Sequence, residues 1–238
     1  MGNPVLELVN LRVTFGRDVE AVRGIDLTIE PGEIHALVGE SGCGKSVTSK
    51  AIVQLLPQDA FVSWERLTIE GRRYTRERPA EIRALRGRKV AMVFQEPGKH
   101  LNPAMTVGSL LSEAVMLHLG LGRREARARG ERLMELVELD RSVLTAYPHE
   151  LSGGMKQRAL IAVAVSCDSV LLLADEPTTA LDVTVQAQIL RLLDDLRREL
   201  GTAILFISHD LSLVQSSADR VSVMYAGAIV DTAAADEL

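Results

Sequence analysis

The chain has 238 residues, a formal net charge of -5 and 47% apolar residues. That length and apolar share exclude a disordered chain, and the acidic balance argues against a nucleic-acid binder. Cys43 and Cys167 form neither a disulfide framework nor a metal-site spacing, so both thiols are expected to be reduced. No stretch reaches the roughly 18 consecutive apolar residues of a membrane helix. The start, Met-Gly-Asn-Pro-Val-Leu-Glu, lacks a basic-then-apolar leader, and Leu6 stands where a myristoylation signal wants Ser or Thr, so a cytoplasmic protein is expected.

Residues 4 to 15 and 25 to 29 cluster or alternate apolar residues as strands do, with turns expected at Gly16, Gly24 and Pro31-Gly32. Phe15, at the end of the first strand, reads from spacing alone as a core aromatic. The short apolar run Ile34 to Val38 suits a buried strand, and Val47 to Leu56 has helical spacing closed by Pro57. Between them lies Gly39-Glu40-Ser41-Gly42-Cys43-Gly44-Lys45-Ser46, which reads G-x-x-x-x-G-K-S, the phosphate-binding loop in its required strand-loop-helix setting. Glycines 39, 42 and 44 let the backbone curl so that N–H groups point inward at the positive end of the helix. Lys45 is then expected at the β and γ phosphates and the Ser46 hydroxyl on Mg²⁺.

Two further strand-like runs, Leu67 to Glu70 and Val90 to Phe94, flank a basic segment (Arg72, Arg73, Arg76, Arg78, Arg83, Arg86, Arg88 and Lys89) that reads as a solvated face. Gln95 follows the second run, where an exposed amide can ligate Mg²⁺ or orient a water. Thr106 to Tyr147 is helical in pattern, with Leu133, Leu136, Val137 and Leu139 on an apolar stripe. Leu151-Ser152-Gly153-Gly154-Met155-Lys156-Gln157-Arg158 then opens a helix reaching to about Cys167, and Ser152 with two glycines at its start makes a second anion site. The run Val170 to Ala174 has the continuous apolar character of a strand buried on both faces and ends in Asp175-Glu176-Pro177. Paired carboxylates at a buried strand end are costly without a cation, so Asp175 is expected to hold Mg²⁺ and Glu176 to accept a proton from the attacking water. Asp182 is the expected N-cap of a helix whose apolar face is Ile189, Leu192, Leu193, Leu196 and Leu200, with Gly201 just past its end. A last buried strand, Ala203 to Ile207, delivers His209, a γ-phosphate candidate by its place at a strand end. His35, His100, His118 and His149 have no such placement. Val221 to Tyr225 and Ala228 to Asp231 close the chain as a hairpin around Gly227.

Taken in order, Phe15, the phosphate loop, Gln95, the LSGG at 151 to 154, Asp175-Glu176, Asp182 and His209 resemble the nucleotide-binding subunit of an ATP-binding cassette transporter over essentially the whole length. The stretches Phe94-Gln95-Glu96-Pro97 with Leu101-Asn102-Pro103, His149 to Met155, and Asp175 to Leu190 are similar to the importers of peptides and nickel. Trp64 and Ser169 depart from that pattern without touching the phosphate chemistry. The resemblance implies an α/β fold: a RecA-like phosphate-loop parallel sheet with an antiparallel β subdomain, about 1–97 and 158–238, and an inserted helical subdomain, about 98–157. It implies ATP and Mg²⁺ as cofactors, with Phe15 on the adenine and the nucleotide held by 39–46 of one subunit and Ser152-Gly153-Gly154 of another. Lys45, Glu176 and His209 become the catalytic set, Ser46, Gln95 and Asp175 the metal ligands, and Asp182 a further nucleotide-site residue. Implied partners are a second ATPase subunit, two membrane permeases and an external solute-binding protein, with no nucleic acid, at the cytoplasmic face of the inner membrane. Members of that subgroup often continue well past residue 238. A soluble, non-transport cassette is the competing reading.

Overall fold

The computed structural model describes residues 3–16, 18–179 and 181–237. Two long antiparallel strands, β1 (Leu6–Phe15) and β2 (Val19–Ile29), open the chain, joined by a turn that includes Gly16 at φ +60°. Gly24 is not a turn. Leu11 pairs with Ile25 and Arg12 with Arg23, so Gly24 is passed over as a bulge inside β2, at φ +86°. A Cβ there would lie 2.6 Å from Asn10 Oδ1, so the glycine serves a close approach rather than a reversal. β4 (Ala60–Ser63), β5 (Arg66–Ile69) and β6 (Arg72–Arg73) complete this sheet. β4 and β6 are too short for an alternation to show in sequence.

The second sheet contains β3 (Ile34–Val38), β7 (Val90–Val93), β8 (Leu171–Asp175), β9 (Ala203–Ser208), β10 (Arg220–Tyr225) and β11 (Ala228–Ala234), in the order β11-β10-β3-β9-β8-β7. Its strands run parallel except for β11, which forms the expected hairpin with β10. The continuous apolar runs are explained by the two cores they feed. Ala36, Leu172, Ala174, Ile204 and Phe206 enter one core, while Leu37, Leu171, Leu173, Leu205 and Ile207 enter the other, with the period of two that a pleated strand imposes. The second core is shared with β1 and β2, so the antiparallel layer is fused to the parallel sheet by burial.

His35 stitches these layers together. Its Nδ1 lies 3.1 Å from the Thr28 carbonyl on β2 and its Nε2 2.8 Å from Ser222 Oγ on β10. Burial lowers its pKa to about 4, with Glu33 opposing the shift and Arg220 adding to it.

α1 (Lys45–Ile52) starts two residues before the expected Val47 and stops well short of Leu56. Gln54 turns left-handed at φ +53°, and the Arg86 guanidinium donates to the Val53 and Gln54 carbonyls, supplying partners that a further helical turn would have provided. Arg86 is therefore the exception in the basic segment, whose other cationic side chains are exposed beside the short α2 (Pro79–Arg83).

From α3 (Pro97–His100) through α4 (Val107–Leu119) and α5 (Arg123–Leu136) to the 3₁₀ turns at 141–145 and 148–150, the chain is helical. Of the expected stripe, Leu133, Val137 and Leu139 are buried against α6 (Gly153–Val165) and the sheet while Leu136 is only partly buried, and Met134 beside them is fully buried. α7 (Val183–Leu200) and the short α8 (Leu211–Gln215) complete the described helices. α7 buries Ile189, Leu192, Leu193 and Leu196, while Leu200 is partly exposed; Gly201 ends the helix in the left-handed conformation at φ +67°.

Candidate nucleotide site

Because β3, β9, β8 and β7 are parallel neighbours, whatever follows each strand emerges at one edge of the sheet. Those followers are the loop 39–46, His209, Glu176 and Gln95, in that spatial order. Residues far apart in sequence are thus gathered by topology alone.

In the loop, Gly39, Gly42 and Gly44 have φ of +156°, +81° and +112°. Gly44 is the residue at which the chain enters α1, and a Cβ there would lie 2.5 Å from the Ala21 carbonyl. Lys45 is buried, and its Nζ donates to the Gly39 and Glu40 carbonyls, each at 2.8 Å. Its third contact is to Cys43 Sγ at 3.8 Å, a weak acceptor that a phosphate oxygen would outcompete. Glu40 and Ser41 are exposed on the loop rim, while Cys43 is buried beneath it. The loop is also held from behind: the Gly227 N–H donates to the Cys43 carbonyl, and the Gly227 carbonyl accepts from Arg23 N. No pattern in the sequence announced this brace, because it arises only when the β10–β11 hairpin folds against β2.

Ser46 Oγ donates to Asp175 Oδ1 at 2.6 Å, and Lys50 Nζ lies 3.9 Å from Asp175 Oδ2. Burial raises the Asp175 pKa, partly opposed by the Ser46 hydroxyl and by Lys50. A buried carboxylate so weakly compensated, paired with a hydroxyl, is a hard oxygen donor set. Among the described residues no three His, Cys, Asp or Glu cluster as a metal cage. The Ser46–Asp175 pair fits Mg²⁺, which takes one or two protein oxygens and fills its shell with water and phosphate oxygens. Lys50 was missed from sequence, although its spacing of four from Ser46 puts both on one helix face.

Glu176 leaves the strand at φ +47°, in the left-handed region that non-glycine residues seldom adopt. Its N–H still donates to the Ile207 carbonyl. Two hydrogen-bond donors reach its Oε2, Gln95 Nε2 at 3.2 Å and Thr179 Oγ1 at 2.9 Å, and His209 Nδ1 lies 3.4 Å from it. The predicted Gln95, Glu176 and His209 are therefore brought together, with Gln95 facing Glu176 here. Thr179 was missed, although a hydroxyl three residues past an acid in a proline-containing turn is a recognisable signal.

Ser152 and Asp182 each cap a helix. Ser152 Oγ accepts from Met155 N at 3.3 Å, and Asp182 Oδ1 from Val185 N at 3.0 Å. A Cβ on Gly154 would lie 3.0 Å from Val185, and one on Gly153 would meet Leu181 at 3.7 Å, so these two helix starts are neighbours. Phe15 ends β1 half-buried, opposite Val19 and Ala60 and against the second core.

A glycine loop opening a helix at the carboxyl edge of a parallel sheet, beside a buried acid and a second carboxylate, defines a phosphate-loop nucleotide hydrolase. The chain belongs to the ABC transporter family, whose profile matches residues 22–179. It is 44% identical over 240 residues to the oligopeptide transport ATP-binding protein OppD of Bacillus subtilis, covering 98% of this chain and 67% of that protein. To the probable D,D-dipeptide transport ATP-binding protein DdpD of Escherichia coli it is 45% identical, with 98% and 73% covered. To the glutathione import ATP-binding protein GsiA of Salmonella typhimurium it is 43% identical and spans 39% of that longer protein. Among solved structures it is similar to cbiO1 from Clostridium perfringens, part of the ABC transporter complex cbiONQ, with a TM-score of 0.84, 27% identity and 99% and 90% of the two chains covered. The dimeric ATP-binding cassette MJ0796 in a post-hydrolysis state with ADP and Pi superposes with a TM-score of 0.83 at 25% identity, covering 97% and 98%. The fold expected from the sequence, an α/β phosphate-loop NTPase, is the one found, and the chain is an ATP-hydrolysing member of the family.

Proposed function

We infer that this chain is the ATPase subunit of an importer that takes up peptides. The ATPase part of the reading is carried by the convergence of Gln95, His209 and Thr179 on Glu176, next to the Ser46–Asp175 pair at the mouth of the phosphate loop, and the import part by relatives that are import ATP-binding proteins. ATP lies with its phosphates on the N–H groups of 39–46, with Lys45 between the β and γ groups and Phe15 against the adenine. Ser46, Asp175 and Gln95 would hold Mg²⁺, which would offset phosphate charge when bound. Glu176 accepts a proton from water as the water oxygen bonds to the γ phosphorus and the bond from that phosphorus to the bridging oxygen of ADP breaks. His209 contacts the γ phosphate.

A second cassette, identical or related, supplies Ser152, Gly153, Gly154 and Asp182 to the same nucleotide from the opposite side. The similarity to a cassette solved as a dimer supports this arrangement. Membrane permeases and an external solute-binding protein complete the assembly, and the chain sits peripherally at the cytoplasmic face. None of the described helices is long and apolar enough to cross a membrane. The cargo reading narrows to peptides, since the relatives' names specify oligopeptides, a D,D-dipeptide and glutathione.

Uptake in a deletion strain, with labelled dipeptide, oligopeptide and Ni²⁺ compared, tests the cargo. Loss of peptide uptake with Ni²⁺ uptake intact is expected, and the reverse pattern contradicts it. Purification through a tag on this chain is expected to bring down integral membrane proteins, and their absence contradicts the transport reading.

A further inference from the structure

Of the three groups at Glu176 Oε2, two follow other strands and one belongs to the acid's own turn. Gln95 follows β7 and His209 follows β9, and both side chains are exposed. Thr179 is different. Its N–H closes a turn onto the Glu176 carbonyl at 3.2 Å, and its hydroxyl then reaches Oε2 at 2.9 Å, the shortest of the three approaches. The turn is itself anchored: Thr178 is buried, and its carbonyl accepts from Gln186 Nε2 on α7 at 3.2 Å.

We propose that Thr179 is a positioning residue for ATP hydrolysis, holding Glu176 Oε2 so that Oε1 is the oxygen presented to the attacking water. The positive φ of Glu176 sets where its side chain leaves the backbone but leaves its own torsions free. Among the described residues Oε1 takes no hydrogen bond, so the carboxylate is anchored through one oxygen only. When Gln95 and His209 turn to metal and phosphate, as the functional reading requires, the Thr179 hydroxyl is the donor that stays. A carboxylate pinned by a rigid local turn enters the reaction already oriented, and a displacement of about 1 Å in such a group costs up to roughly a hundredfold in rate.

This inference rests on Glu176 as the base, so Glu176→Gln is run beside the Thr179 variants. Steady-state ATP hydrolysis is measured on the complex purified through a tag on this chain. Thr179→Val, which keeps the shape and deletes the hydroxyl, is expected to lower kcat about tenfold or more while leaving KM for ATP within about twofold. Thr179→Ser, which restores a hydroxyl, is expected to recover most of kcat. Wild-type kcat in Thr179→Val beside an inactive Glu176→Gln overturns the positioning role and leaves the base assignment standing. Near-normal turnover in Glu176→Gln overturns both. A loss in Thr179→Val that Ser does not restore, or one that raises KM in step, assigns Thr179 to the stability of the turn and overturns the proposal.

Discussion

On the proposed reading Lys45 serves binding and Glu176 turnover, and their variants separate the two. Lys45→Ala removes a buried, charged donor from the loop. It is expected to weaken ATP binding by about 1.5–3 kcal/mol, roughly 10- to 100-fold, in a nucleotide titration. Glu176→Gln keeps size and hydrogen bonding but cannot take a proton, so it is expected to bind ATP normally and to lose about a hundredfold or more in kcat. On β3, the strand that leads into the phosphate loop, His35 links stability to pH. Its folded pKa of about 4 lies below the ordinary value of 6.5, so the folded state binds fewer protons than the unfolded one. The stabilisation is complete above about pH 6.5 and is lost as pH falls from there towards 4, by about 3 kcal/mol. Denaturant titrations at several pH values are expected to show that loss, and His35→Gln is expected to flatten it. Whereas Lys50 and Thr179 went unread, the loop, Gln95, Glu176 and His209 were legible from their places after apolar runs. His35 was not, because the Thr28 and Ser222 partners that hold it are contributed by other strands.

Elements followed from sequence where their burial is one-sided or complete, and departed from it where a distant side chain intervenes. α7 illustrates the first case, with Asp182 at its start, Gly201 at its end and a buried stripe between. α1 illustrates the second, since it is Arg86, on a segment more than thirty residues away, that satisfies the carbonyls at its end. Gly24 shows the limit of glycine as a turn signal, because a bulge and a reversal both need positive φ. Besides the shared apolar core, a buried guanidinium ties the helical segment to the rest. Arg158 on α6 donates to the Val137 carbonyl at 2.9 Å, to Glu138 Oε2 at 2.7 Å and to Gln188 Oε1 on α7 at 3.3 Å. Arg158→Met leaves a buried carbonyl without a donor and is expected to cost about 2–3 kcal/mol, read as a lower denaturant midpoint at unchanged slope.

At the scale of the whole molecule, one parallel sheet places the phosphate loop, His209, Glu176 and Gln95 along a single edge, while Ser152 and Asp182 share a second locus at neighbouring helix starts. Two such helix starts in one chain make sense if the nucleotide is enclosed by two chains, each lending its second locus to the nucleotide on the other's phosphate loop. Hydrolysis then removes the γ phosphate that joins them, which converts a chemical step into separation of the cassettes. The most direct measurement follows from arresting that step. The Glu176→Gln chain, together with the cassette it copurifies with, is brought to saturating ATP and Mg²⁺, and its mass in solution is determined by light scattering. A stable pair of cassettes that falls apart when ATP is replaced by ADP, and that Ser152→Arg abolishes while ATP binding persists, is the predicted result. A chain that binds ATP with full affinity yet never pairs contradicts the account.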